Sequence, residues 1–208
     1  MLYLSLLTLD PRSRRVQAET YDPYQMHRTL AKAFGEDAQQ AARCLFRVEE
    51  TPHGWRVLVQ SRTVPDWNQL TVGSDYHLAP PQQKAFSPAL SLGQTFAFRL
   101  RANPTKRQSA KPEGRRLGER VGLYHEGDRL DWLTRKAAAH GFALCSVTQT
   151  SESRPECRAK DRRAVFSAVR FEGVLRVTDP ALLSEALSAG IGAGKGFGFG
   201  LLSLSSLK

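Results

Sequence analysis

The chain is expected to be an α+β protein made of two tandem ferredoxin-like (RRM-like) β-α-β-β-α-β units. Three observations predict this. Alternating apolar runs of strand length recur along the chain, helix-period segments with capping residues fall between them, and the order strand, helix, hairpin restarts near residue 95. At 208 residues the sequence suffices for two domains of about 100 residues each. We divide it at 1–92 and 93–208.

In the first unit, Leu2, Leu4 and Leu6 alternate in a strand over residues 2–9. A helix then opens at Asp22, a good N-cap, with Pro23 at the first helical position, Gln25 at capping-box spacing and Gly35 as the stop. Cys44, Phe46 and Val48, then Trp55, Val57 and Val59, read as a hairpin around EETPHG. A short helix near Asp66 to Leu70 and a weak strand over Tyr76 to Phe86 complete the unit.

The second unit repeats the order. Phe96, Phe98 and Leu100 alternate as a strand, and Asp128 caps a helix with Leu130, Leu133 and Ala137 on one face. Strands are expected at Phe142 to Val147 and Val165 to Val177. Asp179-Pro180 starts a helix with Leu183, Ala186 and Leu187 inward, and FGLLSL is the last strand.

Composition narrows the function class. Hydrophobic residues make up 41% and charged residues 24%, as in an ordinary globular chain. No stretch approaches the roughly 20 apolar residues that span a bilayer. The apolar start MLYLSLLTLD has no basic region before it and no small-residue cleavage site after it, so it reads as mature, cytoplasmic sequence. Cys44, Cys145 and Cys157 are odd in number and widely spaced, so neither a disulfide framework nor a metal site is expected.

Charge points to a polyanion. Thirty Lys and Arg against twenty Asp and Glu give a net +10, of which residues 93–208 carry +9. Two runs concentrate it. Residues 101–120 hold seven basic and two acidic side chains, including Lys106, Arg107, Arg115 and Arg116. Residues 154–163 hold five and two, including Arg158, Lys160, Arg162 and Arg163. Both read as loops. Between them the helix contributes Arg129, Arg135 and Lys136, so a phosphate-binding groove is expected.

The segment GIGAGKGFGFG, residues 190–200, fits neither a dinucleotide fingerprint nor a phosphate loop, so no nucleotide cofactor is expected. One reading is a flexible helix-to-strand connection. The other is a backbone free of side chains, able to approach a phosphodiester through Gly190, Gly192, Gly198 and Gly200, with Lys195 beside it.

The spacing of these glycines, together with LTLDPRSRRVQAE, DPYQMHRTL, FRLRANPTKR and FGFGLLS, resembles the CasE family, the CRISPR repeat-RNA endoribonucleases of the type I-E Cascade complex. The resemblance runs from residue 2 to about residue 205. It implies tandem ferredoxin-like domains, a CRISPR repeat RNA hairpin as substrate and retained product, and other Cascade subunits as partners. It also places the catalytic tyrosine and histidine at Tyr24 and His27.

Those residues suit the chemistry. Positions three apart share one helix face and can meet a single phosphate near the positive end of the helix. RNA can be cut by its own 2′-hydroxyl without a metal, and a histidine can take the proton from that hydroxyl or give one to the leaving 5′-oxygen. Both roles stay open for His27. Tyr24 is expected to hold or protonate a phosphate oxygen and Lys32 to offset phosphorane charge, with Arg28 as a phosphate contact. Of the other histidines, His125 lies beside the first basic run and His140 sits at a helix end. The alternative is a noncatalytic subunit that binds the same RNA hairpin.

Overall fold

Strand β1 (Leu2–Leu9) is the hub of the first sheet, paired antiparallel with β3 (Gly54–Ser61) on one side and β4 (His77–Phe86) on the other. Outside β3 lies β2 (Leu45–Thr51), giving the order β2-β3-β1-β4. The computed structural model describes residues 1–35, 44–70, 75–108, 120–151, 156–159 and 162–207, with backbone alone for 151, 156–159 and 162–165. Helices α1 (Arg14–Tyr21) and α2 (Pro23–Ala31) cover the sheet. Leu7, Leu9, Val16, Met26, Leu30, Phe46, Val57, Val59 and Tyr76 pack into one core between them.

The second sheet has the same plan. Strand β5 (Thr95–Ala102) lies between β11 (Val169–Val177) and β12 (Leu202–Ser206), with β8 (Phe142–Ser151) beyond β11. Counted within each unit, both sheets run four-one-three-two. That order is ferredoxin-like, as the repeated pattern predicted. Helices α3 (Glu126–Ala139) and α4 (Pro180–Ala189) cover this sheet around Leu133, Phe142, Phe171, Leu175, Leu183 and Leu187. Asp179 caps α4 by accepting from the amides of Ala181 and Leu182.

Several elements differ from their sequence signals. Helix α1 was not anticipated, since it buries only Val16 and Glu19 and so has no apolar stripe. The short helix expected near Asp66 to Leu70 is present as a single 3-10 turn, Trp67–Leu70. Helix α3 starts at Glu126 with His125 as N-cap, which puts Asp128 in the first turn. Its inward face is Arg129, Trp132, Leu133 and Ala137, while Leu130 is exposed.

The basic runs are more regular than loops. Residues 154–163 contain β9 (Glu156–Ala159) and β10 (Arg162–Val165), paired as a hairpin, so the long strand expected over 165–177 is interrupted. In the first run Arg101 belongs to β5, and β6 (Thr105–Arg107) pairs with β7 (Arg120–Gly122). Strand pairing satisfies backbone groups that a loop would leave to solvent. Polar spacing hid the alternation.

The two units are tied by buried polar contacts. Arg47 is only 4% exposed. Its guanidinium donates to Glu49 at 2.7 Å, Ser203 Oγ at 3.1 Å and the Leu201 carbonyl at 3.4 Å. Gln60 donates to the buried Leu187 carbonyl at 2.5 Å, and at the exposed rim Arg62 donates to Ser188 Oγ at 3.1 Å. Among the described residues no helix is long and apolar enough to cross a membrane.

Candidate active site

Asp22 ends one helix and begins the next. Its amide donates to the Ala18 carbonyl at 3.1 Å, while its Oδ1 accepts from the Tyr24 amide at 3.0 Å. Pro23 follows at the first position of α2, where no amide is needed. The expected capping box is not made, because the Asp22 amide is already used; Gln25 accepts instead from Arg28 at 3.4 Å.

The inner side of α2 is fixed by a buried carboxylate. Glu19 accepts from Thr29 Oγ1 at 2.6 Å, Arg15 Nε at 2.9 Å and the Tyr76 hydroxyl at 2.5 Å. Burial and the neighbouring Glu19 push the Tyr76 pKa up, so the phenol stays a donor. Met26, Thr29 and Leu30 face inward with it. Tyr24 and His27 are left on another face, turned toward the second unit.

That face meets the glycine-rich segment. The His27 ring stacks on Phe46 with centroids 6.3 Å apart and planes 16° from parallel. Its Cδ2 and Nε2 edge looks at Gly196, where an added Cβ would lie 3.8 Å away. The Nδ1 atom is buried with no hydrogen-bond partner among the described residues, and burial holds the imidazole pKa below its ordinary value of 6.5. Tyr24 and Phe197 pack against Phe166, Ala168 and Phe199.

Residues 190–200 form a folded loop. Its neck is closed by the Ile191 amide donating to the Gly200 carbonyl at 2.9 Å, and its tip is a 3-10 turn, Lys195–Phe197. Gly190 has φ 75°, and a Cβ there would strike both Leu45 methyls at 2.9 Å. Gly198 has φ 79°, and a Cβ would meet Phe46 at 3.1 Å. These two glycines let the loop press on β2, which carries the tip to His27. Arg101 braces it, lying over the Phe199 ring at 4.5 Å and donating to the Gly198 carbonyl at 3.4 Å.

Beyond the tip lies a basic cleft of about 300 Å³, lined by Arg107, Arg120, Lys136, His140, Lys195 and the backbone of Gly190 and Gly192 among others. The fold thus unites Arg107, Lys136, Gly190, Gly192 and Lys195 from three separate stretches of sequence. Arg120 and His140 were not singled out as site residues. One is only the last charge of a basic run, and the other sits at a helix end that suits any histidine.

Other candidates lie elsewhere. Lys106 and Arg135 line a second cleft together with Asp128 and Asp131. Arg129 turns inward, its Nε donating to the Leu123 carbonyl at 3.0 Å and Nη2 to Ser167 Oγ at 3.3 Å. Lys32 is exposed and lines a cleft with Thr63, Val64 and Asp66. Five residues along a helix place it about 140° around the axis from His27. Arg28 is exposed. Strand β9 runs beside α2, which brings the second basic hairpin to the site, with Arg163 opposite Arg158 in register. Arg115, Arg116 and Lys160 lie outside the described residues. Among the described residues no three His, Cys, Asp or Glu converge as metal ligands.

Comparison with known proteins agrees over the whole chain. A family model described as CRISPR associated protein matches residues 2–206. The CRISPR-associated endoribonuclease Cse3 of Thermus thermophilus is 37% identical, over 98% of this chain and 100% of that protein. The Cascade subunit CasE of Escherichia coli K12 is 34% identical, over 92% and 96%. Thermus thermophilus Cse3 bound to an RNA representing a pre-cleavage complex superposes with a TM-score of 0.85 at 38% identity, covering 98% of both chains. Cas6e from Escherichia coli K-12 gives 0.72 at 30% identity, covering 100% of both. With its tandem ferredoxin-like units and this full-length similarity, the chain belongs to the CRISPR-associated protein family of CasE-type endoribonucleases.

Proposed function

We propose that this chain is an endoribonuclease that cuts CRISPR precursor RNA within repeat hairpins and stays with its product as a Cascade subunit in the cytoplasm. The observation that carries the catalytic assignment is His27: a half-buried imidazole held neutral by burial, stacked on Phe46, with one edge facing the glycine loop and Nδ1 unpartnered among the described residues. A group so placed is available for proton transfer rather than committed to a structural bond. The names of the relatives support the substrate class.

In this reading the 2′-hydroxyl attacks the adjacent phosphorus. The O2′–P bond forms, the P–O5′ bond breaks, the 2′-hydroxyl loses its proton and the leaving 5′-oxygen gains one. No metal takes part. His27 supplies one of the two transfers, and Tyr24, three residues before it on α2, steadies a phosphate oxygen. Lys32, one turn beyond Arg28 and exposed, offsets charge on the phosphorane through its flexible arm. Arg107, Lys136, Lys195 and the β9–β10 hairpin hold the RNA backbone, joined by Arg28, Lys106 and Arg135 at the edges. Arg129 is assigned to the fold, since its guanidinium is buried and hydrogen-bonded. The domain boundary falls between β4 and β5, at residues 92 and 93.

The test is incubation with repeat RNA from the array that accompanies the gene. The chain is expected to cut once per repeat and to retain the stem. Binding without cutting would favour the noncatalytic alternative.

A further inference from the structure

We propose that the cleft between the β6–β7 ribbon, the end of α3 and the glycine loop is a phosphodiester subsite that holds the RNA backbone next to the scissile phosphate. Its ligands are Arg107, Arg120, Lys136, His140 and Lys195. This rests on the ribonuclease reading and extends it, since it fixes where the strand leaves the catalytic face.

Three features of the cleft point to an anion. Among the described residues its lining has four permanent cations and a histidine but no carboxylate. Arg107 and Arg120 are direct cross-strand partners, a placement that is destabilising for like charges unless something between them is negative. Lys136 and Lys195 approach from α3 and the loop, and each cation disfavours protonation of its neighbours; burial and Lys136 hold Lys195 below the ordinary lysine range. A phosphodiester relieves all of this repulsion at once. Arg guanidinium forks and Lys ammonium groups are suited to bind it.

Location identifies which phosphodiester. Lys195 lines the cleft and Gly196, the next residue, faces the His27 ring. The cleft and the imidazole therefore lie on two sides of one turn, and consecutive phosphates of a strand passing over the turn would meet one and then the other. Occupancy of the cleft would hold the tip of the turn against α2.

His140 makes the subsite proton-linked. Its surroundings are Lys136 on its own helix, Lys195 on the loop, Glu185 on α4, and Arg107 and Arg120 across the cleft. Burial first, then Lys136 and Lys195, keep its pKa below the ordinary value, opposed by the Ala139 backbone and then by Glu185. A phosphate between these cations offsets their charge and favours imidazolium. Binding then takes up a proton.

The experiment measures affinity for repeat RNA blocked by a 2′-deoxy residue at the cleavage position, across salt and from pH 8 to 5.5, for wild type, Arg120→Gln and His140→Gln. Thermal melts of the free variants control for folding. Arg120→Gln is expected to weaken binding about tenfold and to reduce the slope of log affinity against log salt by about 0.7–0.9. His140→Gln is expected to weaken binding at both ends of the pH range, more at pH 5.5 than at pH 8, so that part of the tightening that wild type shows on acidification is lost. Slopes and pH responses identical to wild type in both folded variants would overturn the subsite. Inorganic phosphate bound in an Arg120-dependent way, with RNA affinity unchanged by Arg120→Gln, would assign the cleft to free phosphate and also overturn it. If wild type neither binds nor cuts the unmodified repeat, the ribonuclease reading itself fails, which is a different result.

Discussion

The His27 imidazole lies nearly parallel to the Phe46 ring, 16° apart in plane, and Phe46 also limits how close residue 198 can come. One aromatic of the first unit therefore sets both the His27 ring and the loop that faces it. His27→Ala is expected to remove cleavage by at least 10²-fold, the usual worth of positioned proton transfer, with repeat binding near wild type. Tyr24→Phe keeps the packing on Phe166 and Phe199 and should cost less. Single-turnover rates with a binding assay check both, and wild-type cutting by His27→Ala would remove the assignment.

The pH dependence of kcat/KM should show a limb below 6.5, because burial lowers the His27 pKa in the free enzyme. A rate that rises through that limb with increasing pH marks His27 as the base; a falling rate marks it as the acid. A histidine limb above 7 would contradict the site described.

Stability should also fall on mild acidification. His27, His77 and His140 all have pKa values held down, with burial the first cause in each. The unfolded chain then binds protons more readily than the folded one, so stability is fully present above about 6.5 and is lost as pH falls through the lower folded values. Urea midpoints at pH 7.5 and 5.5 test this before carboxylates such as Glu49 and Asp10, which titrate lower, contribute. Equal midpoints would show that the histidines are not buried as described.

Much of this architecture was legible because the core obeys simple periods. Leu183, Ala186 and Leu187 on α4, and Phe96, Phe98 and Leu100 on β5, announce their elements. Asp22-Pro23 and Asp179-Pro180 mark helix starts by local hydrogen bonding alone. Helix α1 was hidden because a buried Glu19, bonded to Arg15, Thr29 and Tyr76, stands where an apolar residue would reveal it. The site was legible only in part. Tyr24 and His27 are neighbours in sequence, whereas the packing of Tyr24 on the Phe199 cluster and the approach of His27 to Gly196 join positions some 170 residues apart, which no local pattern encodes.

Arg47→Ala is expected to destabilise the protein by about 2–4 kcal/mol. The change leaves Glu49 with one cation fewer and leaves Ser203 Oγ and the Leu201 carbonyl without that donor in a buried seam. Since the seam aligns the two halves of the site, cleavage should fall as well. Chemical denaturation and single-turnover cleavage measure the two effects, and an unchanged midpoint would show that the seam contributes nothing.

Gly190→Ala should cost about 1–3 kcal/mol. Its backbone, at φ 75° and ψ 158°, is one that only glycine adopts readily, and the new methyl would collide with Leu45. Trimming Leu45 to Ala as well should not restore stability, because the backbone strain remains. Full rescue by the double change would show that the clash alone mattered.

The identity of the nucleophile tests the central claim most directly. With Tyr24 and His27 assigned to moving protons and steadying charge, the proposed nucleophile is the 2′-hydroxyl of the RNA itself. With a repeat carrying one 2′-deoxy residue just 5′ of the scissile phosphate, and excess EDTA throughout, we predict normal binding and no cleavage. The unmodified repeat should be cut under the same conditions to a 2′,3′-cyclic phosphate and a 5′-hydroxyl. Cleavage of the deoxy substrate, or products ending in 3′-hydroxyl and 5′-phosphate, would mean that water attacks and that the roles given to Tyr24 and His27 are wrong.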